Sequence, residues 1–278
     1  LRRAGAAAKI LNMRPVARLA VAVRLHGPAS APAAVRGKHT SLRAPGARVT
    51  ATAALALLAA LPLLAGCGDL GKIGAGAHNP PAANFTIADR VTAVVIDGGS
   101  GSIDVTGSSR STVAVSQHAT YTDKPPSATH VLRGTTLTVS YTCPTELVCG
   151  VSYNVQVPAG VAVSASTGAG AVTLTSLSGT VTAHAGAGLI TAVDLRSPVA
   201  SFNSSAGGVV ATFSAAPRSV TADTKLGPIT LTVPGSVAYR LNTHTVVGTS
   251  TITVRRGTSS AHAITASSDL GSISVSPS

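Results

Sequence analysis

Seven glycines of this chain share one register. Gly101, Gly170, Gly188, Gly207, Gly227, Gly248 and Gly271 are preceded, seven residues earlier, by Val94, Val163, Val181, Ala200, Val220, Leu241 and Ile264. Two residues after them come Ile103, Val172, Ile190, Val209, Ile229 and Ile273, with Ser250 the exception. Four residues after come Val105, Leu174, Ala192, Ala211, Leu231, Ile252 and Val275. From Gly170 onward the spacings are 18, 19, 20, 21 and 23 residues. A period of about 20 residues marks a stack of repeats, each burying its apolar face only against its neighbours.

The template predicts two short strands per coil with glycine at the bend between them. Glycine suits that bend because it accepts positive φ and lets stacked backbones approach closely. Coils about 4.8 Å apart put like residues in columns, and Val172, Ile190, Val209 and Ile229 are the expected core column. Val, Thr, Ser and Ala in short runs broken by Gly and Pro are strand-and-turn chemistry, so the body is expected to be all-β. Residues 85–160 alternate less regularly ("STVAVSQHATYT", "GTTLTVSYT") and read as a β section that begins or caps the stack. A β-sandwich is the rival fold. Its strand turns recur about every 8–12 residues, roughly half the period seen here, which favours a parallel β-solenoid.

The same register disposes of a tempting alternative. "STGAGAVTL", residues 166–174, has the G-x-G of a phosphate loop, yet it lacks the third glycine and leads into a strand-like run rather than a helix. Nor does a nucleotide loop recur in every repeat.

A net charge of +12 suggests nucleic acid or an anionic membrane as partner, but the distribution removes that reading. Residues 1–66 hold ten Lys and Arg and no acid, whereas the remaining 212 residues hold eleven basic and nine acidic side chains. The body is near neutral and has no Trp, three Phe and four Tyr, so the stacking platforms of single-strand binders are missing. No nucleic-acid partner is expected.

The basic leader ends in "VTATAALALLAALPLLAGC". Arg43 and Arg48 form an n-region, and Val49 to Leu64 form an apolar stretch too short for the ~20 residues of a spanning helix. The ending Leu64-Ala65-Gly66-Cys67 resembles the bacterial lipobox. That resemblance implies diacylglycerol on the Cys67 thiol, further acylation such as palmitate, and an exported protein anchored to the outer face of the cell membrane. Residues 1–34 read as an over-extended gene model, with Val35 a candidate start and Met13 its competitor. Residues 35–66 are then the signal peptide, 67–84 a flexible tether and 85–278 the β domain. The tether "GDLGKIGAGAHNPPAA" is of a composition that wanders about 20–25 Å.

Outside the leader only Cys143 and Cys149 accompany Cys67, in "YTCPTELVCG". Outside the cell two thiols so close favour a local disulfide, adding about 2 kcal/mol for so small a loop. Zinc wants four ligands and no His is near; no metal and no cofactor are expected.

In its repeats the chain is similar to the bacterial putative-adhesin domain family over about residues 85–275. The likeness rests on "DGGSGSIDVTG", "SVTADTKLGPITLTVP", "DLGSISV" and above all the V-x-V-P-x-G-V-x-V lead-in of Val155 to Val163. It implies a right-handed, single-sheet β-solenoid in the cell envelope. Where the family carries Asp after the glycine, this chain has Ala171, Leu189, Gly208, Pro228 or Thr249.

Chemistry is sparse. Glycoside hydrolysis needs paired carboxylates, but Glu146 is the only Glu, and only Asp97 and Asp104 look able to share a bend. "GGSGSIDV" approaches a calcium repeat with Asp104 one position late and in a single copy. His78, His118, His130, His184, His244 and His262 show no ligand spacing, and His184 and His262 are read as off the template position of His244. No serine sits in a G-x-S-x-G elbow. The expectation is a lipid-anchored solenoid that binds an envelope glycan or protein through Thr, Ser and Asn ladders or an end coil, without catalysis. An envelope enzyme acting on a glycan and a passive structural protein are the alternatives.

Overall fold

The structure, a computed structural model, describes residues 76–144 and 148–278. The extension at 1–34, the signal segment at 35–66, Cys67 with the first part of the tether, and Glu146 lie outside the described residues. The regular elements are all strands. They are β1 (Ala83–Ile87), β2 (Ala93–Ser100), β3 (Ile103–Ser108), β4 (Val113–Tyr121), β5 (Ser127–Arg133), β6 (Thr136–Thr142), β7 (Cys149–Pro158), β8 (Ala162–Ala169), β9 (Val172–Thr175) and β10 (Val181–Ala187). Then come β11 (Ile190–Leu195), β12 (Val199–Ala206), β13 (Val209–Phe213), β14 (Ser219–Leu226), β15 (Ile229–Val233), β16 (Arg240–Val247), β17 (Ser250–Ile252), β18 (Ala263–Leu270) and β19 (Ile273–Pro277).

Each repeat sends one strand into each of two sheets. The first sheet runs β1-β4-β7-β3-β9-β11-β13-β15-β19-β17, the second β16-β18-β14-β12-β10-β8-β2-β6-β5. Paired repeat strands are parallel, the wiring of a parallel solenoid, and one apolar cluster fills the space between the sheets. The resemblance implies a single sheet; the chain builds two. Antiparallel β1, β4 and β5 close one end. The polypeptide joins this body before the expected end of the tether, because His78 already exchanges backbone hydrogen bonds with Tyr121.

The expected core column is present and longer than its four members. Ile103, Val172, Ile190, Val209, Ile229 and Ile273 stand side by side, all fully buried. Each such side chain contributes about 1.5–3 kcal/mol of burial. In the second sheet Phe202 stands between Ala183 and Ala222 in a column that also holds Ala165 and Ala266, with Ile96 and Val139 toward the capped end. The facing strands carry Ala192 and Ala211 at the corresponding layers, so one large ring fills the room that small residues leave.

The layers do not follow chain order at either end. β18–β19, last in sequence, lies between β14–β15 and β16–β17, and β2–β3 lies between β6–β7 and β8–β9. Patterning explains the first exchange. The inward residues Ile264, Ala266, Ile273 and Val275 of β18–β19 are apolar and buried, whereas β16–β17 offers Thr243, Thr245 and Ser250. The more polar coil therefore takes the open end, where Ser250 faces solvent instead of a neighbouring layer.

At the bend, Gly101, Gly170, Gly188, Gly207, Gly227 and Gly248 hold φ between +132° and +150°; Gly271 occupies the same corner without a φ in that range. Spatial neighbours touch there. A Cβ on Gly188 would run into the Gly170 carbonyl, and one on Gly271 into the carbonyl of Gly227. Every corner glycine N–H except that of Gly248 in the end layer reaches across to a neighbouring layer, as Gly188 does to Ala206 O at 2.8 Å. Four of the glycine carbonyls find a different partner, a buried or half-buried hydroxyl three residues before a corner glycine. Thr167 donates to Gly101 O (3.1 Å), Ser204 to Gly188 O (3.0 Å), Thr245 to Gly271 O (2.8 Å), and both Thr224 and Ser268 to Gly227 O (2.8 and 3.1 Å). Ser204 and Ser268 are sealed from solvent, so an uncapped carbonyl there would be an unmet acceptor.

One layer has no glycine bend. β6–β7 stacks outside β2–β3, and Val151 takes the corner position beside Gly101. Cys143 and Cys149 are disulfide-bonded with their Cα atoms 6.0 Å apart, which closes the loop between these two strands.

One glycine substitution probes the corner and another, in the turn between β5 and β6, is its control. Gly188→Ala is expected to cost about 3 kcal/mol or more from φ strain plus the carbonyl clash, while Gly134→Ala, at φ +60° in open space, costs about 1 kcal/mol; denaturant unfolding of the two variants measures the contrast. In the same assay Ser204→Ala, which strands the Gly188 carbonyl, is expected to cost about 1–2 kcal/mol. Ser268→Ala costs less, because Thr224 still serves the same oxygen.

Candidate functional site

Because side chains alternate along a strand, each sheet turns a second set of columns outward. On the first sheet one row begins Asn84, Ser116, Asn154, Asp104, Thr173 and Thr191, each beside the next. It continues through Val210, Thr230, Ser274 and Thr251. The adjacent row reads Thr86, Ala114, Gln156, Thr106, Thr175 and an exposed Val193, and resumes past the bulge of β11 with Thr212, Thr232 and Ser276. Across the ten strands of this sheet that strip is about 43 Å long at ~4.8 Å per interval. Asp104 is its only charge. A shallow open depression at the capped end is lined by Asn84, Thr86, Arg110, Ser116, Asn154 and Gln156, together with Phe85, Ala114 and Val115; no carboxylate, imidazole or thiol lines it.

The outer column of the second sheet reads Ser140, Asp97, Ser166, His184, Asn203, Asp223, Ser267 and His244 in layer order. This corrects the sequence reading of the histidines: His184 and His244 do occupy one template position, four residues before their glycines. Three neutral or acidic residues separate them, four layers apart at about 4.8 Å each. His184 instead pairs with Asn203 (Nδ1 to Oδ1, 3.0 Å). Burial pushes the Asp223 carboxyl above its ordinary range.

The remaining sequence candidates scatter. Asp97 lies on the outer face of the second sheet and Asp104 on that of the first, so the pair thought able to share a bend faces opposite directions. His78 leans on Tyr121, His130 stacks on Phe85 with ring centres 4.0 Å apart, and His262 Nδ1 donates to Pro217 O at 2.8 Å. His118 lies beside Ser116 at 3.5 Å. Among the described residues no three His, Cys, Asp or Glu side chains gather to hold a metal. The Tyr153 hydroxyl is buried without a partner, and burial, then Tyr141 and Asp97, hold it well above the usual phenol range, which suits neither an acid nor a nucleophile.

Sequence reasoning missed one polar junction. Asp194, in the left-handed region at φ +55°, bulges β11 at the corner opposite the glycines. Its carboxylate accepts a hydrogen bond from Ser176 (3.2 Å) of the layer on one side, and its N–H donates to Thr212 (3.1 Å) on the other. Hydrogen bonds from Ser214 and Ser176, with Arg196 nearby, hold its carboxyl below the ordinary Asp range. The available signal was an acidic residue breaking the apolar run of β11, since Asp enters the αL region more readily than most residues. Beside the glycine corner, Leu226, Leu270 and Val247 also align as an exposed apolar ridge.

No family model matches this chain, and no curated protein does. Among solved structures it is similar to a putative cell adhesion protein from Clostridium sporogenes ATCC 15579, at 10% identity and TM-score 0.46 over 71% of this chain and 100% of that one. A putative adhesin from Bacteroides fragilis NCTC 9343 is similar at 13% identity and TM-score 0.40, over 71% and 97%. Both likenesses are distant, and the fold rests on the strand pairing described above.

The Asp194 junction makes a pH prediction. A carboxyl depressed in the folded state contributes stability that is present above its unfolded value and lost as pH falls through the folded one. Asp194→Asn, which keeps the αL backbone, is expected to melt slightly below the wild type at pH 7. The gap should narrow as pH falls below the ordinary Asp value of about 3.9 and close once the pH lies under the depressed folded value. Thermal melts across that range check it, and a gap that persists at low pH contradicts it.

Proposed function

We propose that this chain is an exported lipoprotein of the bacterial cell envelope that uses the outer face of the first sheet as a surface for adhesion, without catalysis. The observation that carries the reading is the two-row strip, mostly hydroxyls and carboxamides and broken only by Ala114, Val193 and Val210, with one charge in it. Each hydroxyl both donates and accepts. The strip is also fixed in the fold before any partner arrives, so binding loses little conformational entropy. Such a face suits a hydroxylated partner, an envelope glycan or a polar protein surface. It offers no paired acid and base, the feature that an enzyme acting on a glycan would require.

Anchoring at Cys67 belongs to the same proposal and is supported by the lipobox-like Leu64-Ala65-Gly66-Cys67. Two acyl chains hold a protein on a membrane where one is marginal. The tether would set the stack off from the lipid surface.

One set of strains tests both parts. Cys67→Ser is expected to abolish palmitate labelling and release the protein into the medium. Thr173→Lys and Thr230→Lys combined, kept apart in the column by Thr191 and Val210, should leave it anchored and folded while lowering cell adhesion to the level of a gene deletion. Adhesion unchanged in the deletion strain overturns the reading, and adhesion lost in the deletion but kept in the lysine variant overturns the choice of face.

A further inference from the structure

A second surface of different chemistry runs along the corner opposite the glycines, where each turn returns the chain from the first sheet to the second. Arg196 lies in the turn that enters β12, Arg218 in the one that enters β14, Arg255 and Arg256 in the one that enters β18, and Arg240 opens β16. Arg196, Arg218 and Arg240 thus belong to three of the four neighbouring layers β12, β14, β18 and β16, and Arg256, paired with Tyr239 on the side of β16 away from β18, carries the row past the last layer. Backbone hydrogen bonds stitch the turns together. Arg218 N donates to Pro198 O (2.8 Å), Ala263 N to Arg218 O (2.9 Å), Arg240 N to His262 O (2.8 Å) and Tyr239 N to Arg255 O (2.8 Å). All five arginines are exposed.

Opposing charge is scarce along this edge. Between residues 196 and 262 the only acid is Asp223, which faces outward from the second sheet and not into the corner. Asp194 is the one carboxylate beside it, and Ser176 and Ser214 already occupy its oxygens. Arg240 and Arg255 each give one hydrogen bond to a carbonyl, of Ser260 and Ser236, which leaves most of each guanidinium fork free.

We propose that this edge binds a linear acidic polysaccharide that runs along the stack. The layer rise of about 4.8 Å is close to the length of one pyranose unit, so a polymer with a carboxylate on each sugar presents one anion per layer. A guanidinium takes such a carboxylate in a two-point hydrogen bond. Nucleic acid fits less well, because Tyr239, the aromatic residue nearest these arginines in the chain, is buried and offers no stacking surface. The edge is separate from the threonine face, and it stands or falls independently of it.

The test uses the full chain and polygalacturonate, by calorimetry at about 50 and about 200 mM salt, with neutral dextran, duplex DNA and anionic vesicles alongside. The expected result is salt-sensitive binding of polygalacturonate and none of dextran. Arg196→Gln, Arg218→Gln and Arg256→Gln combined, none of which loses a side-chain hydrogen bond, should weaken binding roughly tenfold at the lower salt and flatten its salt dependence. Arg110→Gln, Lys124→Gln and Arg133→Gln, the same charge removed near the capped end, should leave affinity within about twofold. Melting temperatures near wild type show that both variants fold. Absence of polygalacturonate binding, equal loss in the two variants, or tighter binding of DNA or vesicles overturns the proposal, and none of these outcomes touches the adhesion strains.

Discussion

The close passage of one glycine carbonyl over the next glycine's Cα is the contact on which the rest of the stack depends. It sets where each coil turns and excludes any side chain from the corner. It also leaves a carbonyl without the usual strand partner, which is why a hydroxyl three residues earlier recurs at five layers. The two exceptions, Gly98 and Ala185, are buried small residues that fill the same position without capping anything. A corner this tight holds neighbouring layers in register, and register then aligns every column, inside and out.

Layer order is a second consequence of the same alignment. Any coil with the right glycine can dock on any other, so the corner does not decide which coil ends the stack. The inward residues do. A coil with Thr243, Thr245 and Ser250 loses less by facing water than one with Ala266, Ser268 and Ile273, and the C-terminal coil is drawn inward past it. At the other end β6–β7 is apolar within, with Leu137, Val139, Tyr153 and Val155, and needs the covering strands β1, β4 and β5. One end is closed by extra chain, the other by polarity, the two ways a repeat stack ends without sticking to another.

Much of this was legible because the repeat is written in residue types: the glycine register and the column from Val172 to Ile229 both follow from sequence spacing. The Ser250 exception was visible as an oddity, and its meaning needed the layer order, which no spacing reveals. The Ser or Thr three places before the glycine was equally visible and went unread, because a buried hydroxyl on a strand looks like a solvated one. The layer of β6–β7 was hidden by its loop: with Val151 at the corner and a Cys143–Cys149 insertion in place of the bend, its two halves fall out of period. Outward chemistry was the least legible, since Asp97 and Asp104 are seven residues apart and yet on opposite sheets.

In-register stacking also limits what the outer faces can carry. Like charges repeated in a column would stand about 4.8 Å apart and repel at every layer, whereas hydroxyls stack without penalty. The strand faces accordingly hold mostly Thr, Ser and Asn, and in the outer column of the second sheet Asp97 and Asp223 are spaced apart by Ser166, His184 and Asn203. Long cations accumulate where the backbone leaves the ladder, in turns wide enough for guanidiniums to splay. The separation of a hydroxyl face from an arginine edge thus follows from the repeat itself. One stack thereby presents two surfaces of different chemistry, set apart by the geometry of a single repeat.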